Sequence, residues 1–185
     1  MDKKRLFAAM LMAVCVLFQA AAASSAQPVP PLAPSSLVPV ADGKIGANEY
    51  SWHGTLKDMK LELSLSADSS TLYVALEAPT AGWAAVGLGT LKMNGAFMVI
   101  GYDNKGTAAV SEQTGVMFGH KENKTTILRK SAVGEQNGAT ILEFSLPAAA
   151  YLSQPSLKLI AAYGKQDNFT SKHAKYEVRE VPLIK

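Results

Sequence analysis

The 185-residue chain has one cysteine, Cys15. It falls within the first 26 residues, which read as a secretory signal peptide. MDKKR is a positive leader, LFAAMLMAVCVLF an apolar run, and AAASSA a stretch of small residues with cleavage near Ala26. A membrane anchor needs about 20 apolar residues, more than this run holds before the cleavage-like segment. Lipid attachment at Cys15 is a weaker reading, because Val14 before it is not small. The mature chain, residues 27–185, therefore has no cysteine. That excludes disulfides, thiolate zinc sites, iron–sulfur clusters and thioether-attached haem. The expected location is secreted or periplasmic, with no membrane span in the mature protein.

Charge is scarce as well. Charged residues are 18% of the chain and the formal net charge is +3. Loss of Lys3, Lys4, Arg5 and Asp2 with the signal brings it to about +1. No Lys/Arg cluster marks a nucleic-acid surface. Hydrophobic residues are 48%, a globular composition, and a mature chain of this size can bury a core without disulfides. Catalytic signatures are missing too. There is no Gly-x-Ser-x-Gly elbow, His-Glu-x-x-His or P-loop, and no carboxylate pair placed to flank a glycosidic bond. Nothing in these patterns marks the chain as a catalyst on its own.

No amphipathic helical window of useful length appears; PAAAYLSQ is long enough for one turn. What the sequence does hold is strand pattern. Residues 27–39, QPVPPLAPSSLVP, read as a Pro/Ser-rich flexible leader, and residues 40–185 as one domain. LKDMKLELSLSA alternates Leu61, Leu63 and Leu65 with polar residues, and TLYVALEAP does the same after a turn, which makes a hairpin. GWAAVGLGT and GAFMVIGYD are apolar on both faces, as in covered central strands. GTAAVSEQTG follows. TTILRKSAV and ATILEFSLP flank the turn GEQNG, and SLKLIAAYG and HAKYEVREVPLI complete the set. The expected fold is all-β, an antiparallel immunoglobulin-like β-sandwich of about nine to eleven strands. Two longer connections, 115–124 and 164–172, are where function concentrates in such folds. The Asn-x-Thr patterns at Asn123 and Asn168 mark surface loops.

The mature chain has three histidines, His53, His120 and His173, and four methionines, Met59, Met93, Met98 and Met117. Imidazole and thioether together suit a haem iron with two protein ligands, or copper. Met98, inside a strand, reads as packing. Met93 stands before the Asn94-Gly95 turn, at a rim that a ligand can reach. His173 reads as the start of the last strand; a lone loop histidine is most often solvated, and His120 is similar. His53, beside Trp52, reads as edge or surface. Gly82, Gly87 and Gly89 in GWAAVGLG mark either close sheet packing or a clearing for a flat ligand.

The order of these residues resembles the DOMON domain. DGKIGANEYS at 42–51 is similar to its I-D-G…E-W opening, with Tyr50 at the usual Trp. MNGAFMVIGYDNKGTAAVSEQTG is similar to its M-x-G-A-D-M-x-I-G stretch, with Phe97 in place of Asp. ILEFSLP resembles its late F-x-R-P strand, and LIAAYGKQDNFTSKHAKY its final A-x-G…H segment. The resemblance spans roughly 42–178. It implies a non-covalent haem b held by a Met near the Gly-Ala and by a late His, which here are Met93 and His173. Some relatives carry Lys at the late position, and Lys172 and Lys175 flank His173. The implied pocket would be walled by Trp83, Gly87, Gly89, Met98 and Tyr102. The implied role is electron transfer with an unidentified redox partner, a redox enzyme or a multihaem cytochrome. Two alternatives stand beside it. One is a carbohydrate-binding module using exposed Trp52, Trp83 and Tyr102. The other is a copper protein using His120 with Met117 or His173.

Overall fold

The computed structural model describes residues 28–184, so residues 1–26, read above as a signal peptide, lie outside the described residues. Twelve strands form: β1 (Pro34–Ser35), β2 (Trp52–Leu56), β3 (Met59–Ser66), β4 (Thr71–Ala78), β5 (Ala84–Leu88), β6 (Phe97–Asn104), β7 (Thr107–Val116), β8 (Gly119–Glu122), β9 (Lys130–Gln136), β10 (Ala139–Pro147), β11 (Ser156–Tyr163) and β12 (Lys175–Pro182). They make two six-stranded sheets. One has the order β1-β3-β4-β10-β9, with β2 also on β3; the other has the order β12-β11-β5-β6-β7-β8. The strand pairs are antiparallel except β1 with β3. No helix among the described residues is long and apolar enough to cross a membrane.

Period-two alternation builds the core between the sheets. Leu61, Leu63 and Leu65 of β3, Leu72, Val74 and Leu76 of β4, and Leu142, Phe144 and Leu146 of β10 face inward from one side. Ala84, Val86 and Leu88 of β5 and Leu157, Leu159 and Ala161 of β11 face them from the other. Each of the large side chains stabilises the fold by roughly 1.5–3 kcal/mol on burial.

The outer face of the first sheet carries a buried carboxylate. Glu143 of β10 is covered by the 42–50 segment. Its Oε2 accepts from the backbone N–H groups of Asp42, Gly43 and Lys44 at 3.1, 2.8 and 3.0 Å. Its Oε1 accepts from the Tyr50 hydroxyl at 2.8 Å. The DGK…Y stretch is thus a cradle for one charge.

The sandwich is as expected, and its edges differ from expectation. Twelve strands among the described residues exceed the nine to eleven read from pattern: β1 lies in the stretch read as leader, β8 in one read as a connection, and β2 in one where no strand was expected. TTIL is not strand: Glu112 holds that segment by accepting from Thr126 Oγ1 and from Ile127 N at 2.9 Å. PAAAYLSQ forms turns without helix. Residues 28–39 are not a free leader. Leu32 is fully buried and bridges to Leu183. Pro30 O accepts from the Trp52 indole at 2.7 Å, and β1 adds to β3. The prolines suit an extended edge, where missing N–H donors cost nothing.

Candidate functional site

The second sheet has one face in the core and one face outward, and the outward face floors a cavity of about 870 Å³. Strand register composes the floor. Gly87 pairs with Met98 on one side and Ile160 on the other, and Ile160 pairs with Val178. One step along, Ala85 pairs with Ile100 and Ala162, and Ala162 pairs with Tyr176. These eight residues share a face because successive positions alternate along a strand, and all eight line the cavity. The middle of the floor is small: Gly87, Ala85 and Ala162. A Cβ at Gly87 would meet its neighbours only at 3.4 Å and beyond. Backbone crowding therefore does not demand glycine at 87; its effect is to deepen the trough.

Walls rise at both ends of the strands. At the end where Leu88 pairs with Phe97, the 89–96 connection supplies Leu91, Lys92 and Met93, the β7–β8 turn supplies Phe118, and the start of β8 supplies Gly119 and His120. At the opposite end, where Ala84 pairs with Tyr163, the β11–β12 connection supplies Thr170, Ser171, Lys172 and His173. Met93 and His173 thus enter one cavity from opposite ends. The lining is mostly apolar, includes Lys92 and Lys172, and contains no carboxylate.

Both ends are braced. A Cβ at Gly115 of β7 would lie 1.7 Å from Met93 O, so only glycine lets the Met93 backbone lie there. Gly95 N donates to Gly115 O and Gly115 N to Ala96 O, both at 2.9 Å. Met117 N donates to Asn94 Oδ1 at 2.9 Å. At the other end the buried Trp83 indole donates to Ser171 Oγ at 2.8 Å. A Cβ at Gly164 would fall 2.2 Å from its Nε1. Asn168 Oδ1 accepts from Thr170 N at 3.0 Å and Ser171 N at 2.7 Å. Phe169 packs on Tyr102 with ring centroids 4.9 Å apart.

Of the sequence candidates, Trp83, Gly87, Met93, Met98, His120 and His173 line the cavity. Met98 is half-buried on its floor, not in the core as strand packing would have it. Tyr102 supports the far loop through Phe169 and does not line the cavity, and Gly89 turns the chain out of β5 at φ +90°. His173 lies two residues before β12, exposed, with its ring edge on Tyr176 at 5.1 Å. His53 pairs with Glu62 on the other sheet. Met59 is in the core and Met117 is exposed on the β7–β8 turn. Lys172 lines the cavity, while Lys175 Nζ lies 2.5 Å from Asp58 Oδ2.

The glycan platform does not form from the expected residues: Trp52 and Trp83 are 4% and 5% exposed. Among the described residues no group of three or more His, Cys, Asp or Glu gathers as a metal cage. Sequence reading missed Phe118, which is 94% exposed at the rim, and the floor residues of β11 and β12. Alternation in SLKLIAAY carried that signal, since Ile160 and Ala162 stand opposite in phase to Leu159 and Ala161.

No family model matches the sequence, and no curated protein matches it. Solved structures do. The cytochrome domain of Myriococcum thermophilum cellobiose dehydrogenase aligns with TM-score 0.57 at 13% identity, over 72% of this chain and 81% of that one. The cytochrome b domain of pyranose dehydrogenase from Coprinopsis cinerea aligns with TM-score 0.53 at 12% identity, over 68% and 76%. The chain therefore has the β-sandwich fold of these two cytochrome domains.

Proposed function

We propose that the protein is an exported electron-transfer module that holds haem b non-covalently, with Met93 and His173 as the axial ligands. The observation that carries this reading is the entry of a thioether and an imidazole into one apolar cavity from opposite ends. A group held by two protein donors would take one from each end of the cavity. The cavity volume falls within the ~300–1,000 Å³ usual for small-molecule sites. The small floor at Gly87, Ala85 and Ala162 leaves depth for a bulky group between the two ends. Lys92 and Lys172 suit the two carboxylates that such a group carries, and the lack of lining carboxylates avoids repulsion. The two cytochrome domains of the same fold add weight. Haem would supply a one-electron couple, and thioether ligation raises its potential.

In this reading the chain's own residues do the rest. Gly115 sets where the Met93 backbone lies, Trp83 and Ser171 anchor the loop that carries His173, and Met98, Ile100 and Ile160 keep water from the floor. The absence of a Cys-x-x-Cys-His attachment motif agrees with the non-covalent form. Transfer would proceed to a redox partner protein, and the signal-like N-terminus supports export.

Ligation is tested in variants reconstituted with hemin. Met93→Leu removes the sulfur while filling its volume, and the ferric protein should lose its thioether-to-iron charge-transfer band. His173→Ala should convert the low-spin spectrum to high-spin. Unchanged spectra in both would sink the assignment.

A further inference from the structure

His120 lines the cavity from the Met93 end, and its ring is oriented. Its Nδ1 is hydrogen-bonded to Gln113 Oε1. Gln113 is buried on β7; its Nε2 donates to Ser111 Oγ at 3.1 Å while its Oε1 faces the His120 ring. An amide oxygen only accepts, so Nδ1 carries the proton and Nε2 keeps the lone pair. Metal-binding imidazoles are ordinarily oriented in this manner, by donating the other ring N–H to an oxygen. His173 contrasts with it, since its ring has the Tyr176 edge contact and lies exposed.

Position matters as much as orientation. His120 pairs with Gly115 across the β7–β8 ladder, and Gly115 is the residue against which the Met93 backbone lies. His120 and Met93 therefore stand together at one end of the cavity, with His173 at the other. The Met93 and His173 assignment leaves this prepared imidazole without a task.

We propose that His120 is a reserve iron ligand, replacing the Met93 thioether at its end of the cavity while His173 remains at the other. This rests on the haem reading above. In the exchange the bond to Met93 Sδ breaks and one to His120 Nε2 forms. Both donors are neutral, Nδ1 keeps its proton on Gln113, and no electron moves. Because thioether ligation raises the potential of a haem iron, the exchanged form has the lower potential. The single protein would then have two redox poises, selected by which donor at that end is engaged.

The test uses the full mature chain reconstituted with hemin, as wild type, Met93→Leu, His120→Ala and the double variant, each checked for wild-type far-UV circular dichroism. Visible and electron paramagnetic resonance spectra and midpoint potentials are recorded. Met93→Leu should remain six-coordinate and low-spin with a lowered potential. The double variant should be five-coordinate and high-spin. His120→Ala alone should stay low-spin through Met93 and lose the exchanged, lower-potential form. Gln113→Leu placed on Met93→Leu should weaken hemin binding by about tenfold, the lower end of what loss of such an orienting partner does. A Met93→Leu protein that retains hemin but turns high-spin overturns the role of His120 and leaves the haem reading standing. A wild-type chain that binds no hemin overturns both.

Discussion

Glu143 shows how one residue organises a segment. Burial pushes its carboxyl pKa up, while the Tyr50 hydroxyl and the N–H groups of Asp42 and Gly43 pull it down, and burial prevails. Tyr50 is pushed up as well, by burial and by the Glu143 charge beside it. Removing the carboxylate leaves the Asp42 and Gly43 N–H groups and the Tyr50 hydroxyl unpaired, while Lys44 N keeps Asp42 Oδ1 at 2.9 Å. Glu143→Ala should therefore cost about 3–5 kcal/mol, read from the denaturant midpoint. Glu143→Gln should cost much less. Its amide oxygen still accepts from the backbone donors, and its NH2 donates to the Tyr50 oxygen. Gly115 acts by what it lacks. In Gly115→Ala the new Cβ meets the backbone of Met93, which cannot yield as a flexible side chain would. The expected cost is roughly 1–3 kcal/mol from overpacking. The more telling readout is loss of the thioether-to-iron band in the hemin-loaded protein. Retention of that band would show that Gly115 does not position Met93.

Two elements carry tests of their own. In the β3–β4 hairpin, Asp68 accepts from Ser66 Oγ at 2.6 Å and Ser70 N at 3.0 Å. These bonds hold its carboxyl down at about 2, against an ordinary 3.8. A depressed carboxyl pKa contributes stability that is complete above the unfolded value and is lost as pH falls through the folded one. The hairpin contribution should thus fade between 3.8 and about 2. Urea midpoints should fall over that window in the wild type, and less steeply in Asp68→Asn. At the N-terminal edge, Leu32 sits under the fold with Trp52 and Val181 in the same core. Leu32→Ala should cost about 2–5 kcal/mol, where a free leader would lose nothing. This edge was illegible for a physical reason. Pro and Ser composition describes what a segment does alone, while the bridge to Leu183 comes from the other end of the chain. The long strands were legible because alternation in residues 61–65 and 72–76 is a local record of two faces. The short β8 has no such record: it pairs with β7 through only four residues.

At the scale of the molecule, the site is the outward face of one sheet closed by connections from both ends. Met93 and Met98 differ by five positions, and local pattern read one as rim and the other as packing. The fold makes both line the cavity, because the face opposite the core is not solvent-polar there. That could be read from the doubly apolar run at 84–88 only as a covered face, with no sign of what covers it. His173 was findable through the resemblance, and Phe118 and the Gln113–His120 pair were not, since they depend on the β7–β8 register. The most direct measurement is a titration of purified residues 27–185 with hemin, followed by dithionite. A saturable one-to-one Soret band, with sharp α and β bands on reduction that disappear in His173→Ala, is the predicted result. A wild-type chain that folds as a β-protein and yields no Soret band with hemin would contradict the account.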